Sequence, residues 1–197
     1  MKLKAGVALI LVAVGLLAFS EPTSKIPMSP VVLTSGIKVT TEQGTMCHIG
    51  VIFPDGTGVI PSSCVETGRE LYYKGNVVAK AEDSKVWEKT AKVKFSGGYP
   101  VETTEVKENV DPSQPLFVEG SDVEFIPERD SRSSMFVRAG LISSVSVRLP
   151  EDSMGASIVD SSGSVVGMVV DPAEGRSWVV IPGLATRSRD YFTNNSK

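Results

Sequence analysis

Histidine and cysteine are scarce in this chain. Its 197 residues include one histidine, His48, and two cysteines. A zinc site needs several histidine, cysteine or carboxylate ligands that converge on one ion, and these counts offer too few. The acidic pairs Glu82-Asp83 and Glu151-Asp152 are typical of solvated turn carboxylates and do not indicate a calcium site. No glycine-rich phosphate loop precedes a helix pattern, so we expect neither a metal ion nor a cofactor.

An excess of positive charge is also missing. The sequence has 20 Lys and Arg residues against 23 Asp and Glu residues, which gives a formal net charge of −3. No basic run interrupts this balance, whereas a nucleic-acid surface needs Lys and Arg concentrated in one place. We therefore expect no nucleic-acid partner.

The apolar runs are too short for a typical membrane-spanning helix, which needs about 20 apolar residues. Residues 5–19 are apolar and follow Lys2 and Lys4, which is the pattern of a signal peptide. The small residue Ser20 favours cleavage there. An uncleaved signal anchor, which would tether the chain to a membrane through residues 5–19, is the alternative. Both interpretations place the rest of the chain outside the cytoplasm, secreted or periplasmic.

The remainder of the chain divides by composition. Prolines among Ser and Thr residues precede residue 36, and this composition favours an extended tether. About 160 residues then remain, enough for one domain with a core and too few for two independent ones. The predicted organisation is a signal peptide or signal anchor at 1–20, a linker at 21–35 and one domain at 36–192, with a first half at 36–110, a second half at 116–183 and a short C-terminal segment at 184–197.

Short runs of apolar and β-branched residues alternate with turn sequences such as Pro54-Asp55-Gly56. Sustained helical periodicity is missing before the tail, where 184–192 is predicted to form a short closing helix. This pattern predicts an all-β barrel or sandwich. The predicted strands cover 36–41, 49–53, 58–61, 70–73, 76–81, 91–95, 101–105, 123–126, 136–147, 156–159, 165–170 and 177–181.

The two cysteines are Cys47 and Cys64. In a chain exported to an oxidising compartment, an even cysteine count favours a disulfide bridge. Two buried free thiols are the alternative.

One segment near the C-terminal end has a distinctive glycine spacing. It reads Asp152-Ser153-Met154-Gly155-Ala156-Ser157-Ile158-Val159-Asp160, followed by Gly163, Val165, Val166 and Gly167. This spacing resembles, without a gap, the nucleophile segment of trypsin-like serine proteases. Among these proteases, the sequence segments resemble those of the bacterial HtrA-type members most. In this comparison Met154 stands in the place of the nucleophilic serine, and Asp152 stands in the place of the glycine beside the oxyanion hole.

Further segments resemble the same family in the same chain order. Residues 47–56 resemble the first hairpin, and residues 59–65 resemble the segment that carries the general base, with Ser63 in the place of the histidine. Residues 89–95 resemble the strand that begins with the orienting aspartate, and Lys89 stands in its place. Segments similar to the second half of the family's fold are 120–127, 137–144 and 175–182.

The resemblance extends from about Gly36 to Arg189. It implies an all-β fold of two six-stranded antiparallel β-barrels, in which a Cys47–Cys64 bridge staples two strands of the first barrel.

Amide hydrolysis by a serine needs a hydroxyl, a base, a group that holds the base, and oxyanion donors. Ser63, Lys89 and Met154 at the triad positions therefore imply a catalytically degenerate member. The function that follows is binding of an extended peptide or a partner protein in the cleft between the barrels, without cleavage.

Two alternatives stay open. The first is an active serine endopeptidase with an unconventional site, in which Ser153 is the nucleophile and His48 the base. Such a pair needs its imidazole and hydroxyl within hydrogen-bond distance. The second is a purely structural extracytoplasmic block, in which the fold carries no binding cleft.

Overall fold

The computed structural model of this chain describes residues 31–66, 68–87, 89–137, 140–173, 175 and 177–184. The predicted signal segment at 1–20, the linker up to residue 30 and the closing helix beyond residue 184 lie outside the described residues. Within the described part, the strands form two antiparallel sheets. No helix among the described residues is long and apolar enough to cross a membrane.

The first sheet curves into a barrel because its two end strands are halves of one chain segment. Its strand order is β2-β1-β5-β6-β7-β4-β3, and Gly50 separates β2 from β3. A Cβ at Gly50 would lie 2.7 Å from the carbonyl oxygen of Gly155, so the break coincides with a close approach of the other barrel. The strands are β1 Ile37–Thr41, β2 Met46–Ile49, β3 Val51–Ile52, β4 Thr57–Pro61, β5 Glu70–Tyr73, β6 Asn76–Ala81 and β7 Thr90–Phe95.

The second sheet is arranged in the same way, with the strand order β10-β11-β14-β13-β12-β8-β9. A one-turn helix, α1 at Pro127–Asp130, connects its two end strands β9 and β10. Asp130 fixes this turn, because its Oδ2 accepts a hydrogen bond of 2.7 Å from the Ile126 main-chain N–H. The strands are β8 Leu116–Val118, β9 Glu124–Phe125, β10 Ser131–Val137, β11 Gly140–Val145, β12 Ser157–Asp160, β13 Val165–Asp171 and β14 Ser177–Val180.

The all-β prediction of two antiparallel barrels is confirmed. Each sheet contains seven strands where six were predicted. The additional strand arises because one chain segment of each barrel is divided into two strands, β2 and β3 in the first barrel and β9 and β10 in the second, which lie at the two ends of the sheet.

Several strand predictions differ from the structure. The predicted strand at 49–53 starts at the last residue of β2, which was not predicted as a strand, and it contains β3. The predicted strand at 101–105 is a connector with one isolated bridge, between Leu33 and Val101. The predicted strand at 136–147 contributes to two strands that pair with each other, β10 and β11. The strand β8 was not predicted, because three residues are too short for a recognisable alternation.

The folded part begins before residue 36, where the linker was predicted to end. Leu33 is fully buried, and its main-chain N–H donates to the Pro100 carbonyl at 2.9 Å. Ser35 Oγ accepts from the Ile52 main-chain N–H at 2.9 Å. The last predicted linker residues are therefore packed against the first barrel.

Each barrel has its own apolar core, and a third cluster joins the two barrels. That interface cluster is built on the first barrel from β3, β4 and the segment before β7, and on the second barrel from β13 and β14. Its buried members are Val51, Val59, Trp87, Val165, Met168, Val170 and Val180. The relative position of the barrels thus depends on apolar contact as well as on hydrogen bonds.

The predicted disulfide bridge is confirmed between Cys47 on β2 and Cys64, which lies in a 3₁₀ turn at Ser62–Val65. Both cysteines are fully buried in the core of the first barrel. The bridge ties the turn that carries Ser63 to the strand that carries His48.

Replacement of both cysteines with alanine is expected to lower the free energy of unfolding by about 3 kcal/mol, because the bridge restricts the unfolded chain. The sequence separation of the bonded residues is 17. Guanidinium unfolding followed by tryptophan fluorescence measures the change, and reduced wild-type protein should match the double variant. Two alkylatable thiols in the native, unreduced protein would contradict the prediction.

Candidate functional site

Met154 lies where the two barrels meet, and its main chain is held by β2. Its carbonyl oxygen accepts a hydrogen bond of 2.8 Å from the His48 main-chain N–H. The next residue, Gly155, has a φ of +82°, and a Cβ there would lie 2.1 Å from the His48 carbonyl oxygen. Only glycine permits both this backbone conformation and this approach.

The Met154 side chain contacts the residue predicted at the general-base position. Its Sδ lies 3.4 Å from Ser63 Oγ, which donates to it. The same sulfur lies 3.9 Å from Cys47 Sγ of the disulfide. The structure therefore brings the predicted nucleophile and base positions together. Their side chains are a thioether, which has no proton to lose, and a hydroxyl.

Lys89, at the predicted aspartate position, lies behind the Ser63 turn. Its carbonyl oxygen accepts a hydrogen bond of 3.0 Å from the Ser62 main-chain N–H. The Lys89 backbone has a φ of +54°, in the left-handed region. Its Nζ lies 5.0 Å from the centroid of the Trp178 ring on β14, so its charge makes a cation–π contact with the second barrel.

Asp152, at the predicted oxyanion position, forms an ion pair across the barrels. Its Oδ2 lies 3.1 Å from Lys38 Nζ on β1. The pKa of the Asp152 carboxyl is lowered below its ordinary value, mainly by the hydrogen bond from Lys38 and in addition by the positive charge of Lys38. A carboxylate is therefore present two residues before Met154 at neutral pH. Both side chains are largely exposed, so the pair adds little to stability.

The alternative pair, Ser153 and His48, is not joined by a hydrogen bond among the described residues. Ser153 is buried, and its Oγ donates to the Pro150 carbonyl at 2.6 Å. His48 Nδ1 lies 3.2 Å from the Met154 carbonyl oxygen. Burial lowers the pKa of His48, so its ring is neutral at pH 7. Each side chain thus has a main-chain partner of its own.

No protein-family model and no curated protein sequence matches this chain. Solved structures match it over most of its length. The Nocardiopsis protease NAPase superposes with a TM-score of 0.51 at 10% identity, covering 81% of this chain and 96% of the protease. A serine-to-alanine mutant of Rv3671c from M. tuberculosis H37Rv, in its inactive form, gives a TM-score of 0.50 at 12% identity, covering 81% of this chain and 86% of that chain. This chain has the trypsin-like, chymotrypsin-type fold.

Two contacts of the site were not found from the sequence. Lys38 pairs with Asp152 across a separation of 114 residues, and nothing in its surroundings on β1 distinguishes it from other exposed lysines. Trp178 is one of two tryptophans and lies in the predicted strand at 177–181, but nothing in the sequence predicted Lys89 as its partner.

The backbone of Lys89 gives a stability prediction. Lys89→Ala keeps the left-handed strain and loses the contact with Trp178, so we expect it to lower the free energy of unfolding by about 0.5 to 1 kcal/mol. Lys89→Gly loses the same contact but relieves the strain, and we expect it to be close to wild type. Urea unfolding of the two variants provides a matched comparison. A glycine variant less stable than the alanine variant would contradict the left-handed backbone at this position.

Proposed function

We propose that this chain is an exported pseudoprotease, which binds an extended peptide or a segment of a partner protein in the cleft between its barrels without cleaving it. The observation that carries the proposal is the contact between Met154 Sδ and Ser63 Oγ at 3.4 Å. The side chains at the centre of the proposed cleft are a thioether and a hydroxyl, while the ring of His48 lies against the Met154 carbonyl oxygen and makes no hydrogen bond to a serine hydroxyl among the described residues.

The charges around this centre also oppose hydrolysis. The tetrahedral intermediate of acyl transfer carries a negative oxygen that needs N–H donors beside the nucleophile. The carboxylate of Asp152 lies close to that place, and its charge would raise the energy of the oxyanion. At the position where an aspartate would hold the imidazole, Lys89 supplies a positive charge instead, which would disfavour an imidazolium.

Peptide binding without cleavage requires fewer specific side chains in the site than hydrolysis does. An extended peptide is held mainly by main-chain hydrogen bonds to a strand, and these bonds do not depend on the triad side chains. Met154 is partly buried and flexible, and thioethers adapt to varied apolar surfaces. The Cys47–Cys64 disulfide supports an oxidising, extracytoplasmic location. The apolar segment at 5–19 supplies the proposed export signal or membrane tether.

The unconventional endopeptidase remains a second candidate, since His48 and Ser153 both lie within the site. To act as a dyad, the two side chains would have to exchange their main-chain partners for each other. A fluorophosphonate probe distinguishes the candidates, because it labels only an activated serine. We expect no labelling of the wild-type protein. Labelling that disappears in Ser153→Ala would establish the endopeptidase and contradict the pseudoprotease.

Restoration of the missing groups tests the assignment of positions. Met154→Ser alone should remain unlabelled, because the new hydroxyl has no base. The quadruple variant M154S/S63H/K89D/D152G supplies all triad groups and the oxyanion glycine, and we expect it to react with the probe. A matched triple variant that retains Met154 is the control and should not react. Equal labelling of single and quadruple variants would contradict the assignment.

Binding in the cleft can be tested with peptides selected on the wild-type protein from a displayed random library. Met154→Ala removes contact area at the centre of the cleft, and we expect it to weaken binding by about 1 to 3 kcal/mol. Asp152→Gly should change which peptides are selected more than how tightly they bind, because it removes a charge at the rim. Lys94→Ala, an exposed change on β7, is the control. Equal affinity in all variants would favour the purely structural block.

A further inference from the structure

A pocket of about 470 Å³ lies where the connector between the barrels passes the β3–β4 hairpin. Its volume is within the range of about 300 to 1,000 Å³ that is usual for ligand sites. None of its lining residues is Met154, Ser63, Asp152, His48 or Lys38, so it is separate from the cleft centre. The lining residues that matter for its chemistry are Phe53, Trp87, Glu105, Lys107, Glu108 and Gly183.

Main-chain contacts on both barrels build the walls of this pocket. The Thr104 N–H donates to the Ile52 carbonyl of the first barrel at 2.6 Å, and the Lys107 N–H donates to the Val165 carbonyl of the second barrel at 2.9 Å. On the opposite side, a Cβ at Gly183 would lie 2.4 Å from the Glu108 carbonyl oxygen, so the two main chains are in close contact. The connector is therefore fixed on either side of the pocket.

Aromatic rings form one side of the pocket. Phe53 and Trp87 pack edge to face, with ring centroids 5.8 Å apart and an interplanar angle of 80°. Trp87 is 7% exposed and belongs to the interface cluster, so its ring is held in place by both barrels. A rigid aromatic surface attracts cations through the negative charge of the ring faces.

Two carboxylates line the same pocket. Glu105 and Glu108 are exposed, and neither is paired with a cation among the described residues. The one lysine of the lining is already neutralised, because Lys107 Nζ lies 2.5 Å from Asp160 Oδ2. Asp160 is largely buried and is held by the Ser162 and Ser164 main-chain N–H groups, so this pair is fixed. The pocket therefore has an aromatic side and an unbalanced negative charge.

We infer that this pocket is a second binding site, which takes the guanidinium group of an arginine side chain from a partner protein. A guanidinium is planar, so it can stack on an aromatic ring while its N–H groups donate to carboxylates at the rim. An ammonium group makes the same charge contact but stacks less well. The site is independent of the proposed function of the cleft, since it uses other residues.

The experiment uses N-acetyl-arginine amide as the probe and N-acetyl-citrulline amide as its uncharged analogue. Binding to the full-length protein is followed by the NMR signal of the Trp87 indole N–H, which is identified as the indole signal that persists in Trp178→Phe. We expect a saturable shift with the arginine probe and none with citrulline. The double variant E105Q/E108Q should raise the Kd about tenfold, because both carboxylates lose their charge.

The control E124Q/E128Q removes the same charge from two exposed glutamates of the second barrel and should leave the Kd unchanged. Equal binding of the arginine and citrulline probes, or an unchanged Kd in E105Q/E108Q, would overturn the inference. Tighter probe binding in R187A/R189A would also overturn it, since the occupant would then be the chain's own C-terminal arginines. Each of these outcomes is independent of peptide binding in the cleft.

Discussion

The two barrels meet at a main-chain contact that leaves no room for a side chain, and the geometry of the site depends on it. His48 donates its N–H to the Met154 carbonyl, and the His48 carbonyl lies where a Cβ of Gly155 would be. Gly50 makes the reciprocal approach toward the Gly155 carbonyl from the first barrel. Because these contacts involve main-chain atoms, they fix the position of residue 154 whatever side chain it carries. The disulfide then holds the Ser63 turn against the same strand.

This separation of scaffold from side chains explains how the fold can keep its geometry whatever side chains stand at residues 63, 89 and 154. The interface cluster and the paired glycines position the cleft, and none of them takes part in proton transfer. Met154 fills the space beside the disulfide with apolar contact, and its sulfur accepts a hydrogen bond from the exposed Ser63 hydroxyl.

The sequence predicted what depends on local pattern. Short apolar runs and turn sequences such as Pro54-Asp55-Gly56 predicted an all-β barrel or sandwich, and the cysteine count favoured the bridge. The resemblance carried by the glycine spacing around Gly155 and Gly167 implied the two β-barrels. The sequence did not predict the partners of Lys38 and Lys89, because an exposed lysine has no local signal for a contact with a distant strand. It also placed the start of the fold too late, since Leu33 is an isolated apolar residue in a proline-rich stretch whose burial depends on residues near Pro100.

The charges at the site form a consistent set. A working triad needs a negative group behind the base and a neutral, donor-rich turn beside the nucleophile. Here the first position carries the cation of Lys89, which is held by Trp178, and the second carries the anion of Asp152, which is held by Lys38. Lys89 and Asp152 each have a partner on the opposite barrel. A change of Lys89 to aspartate, or of Asp152 to glycine, would therefore remove a contact between the barrels. Restoring the nucleophile by itself would also leave both charges in place. In the proposed pseudoprotease, the absence of hydrolysis would therefore depend on these contacts between the barrels as well as on Met154.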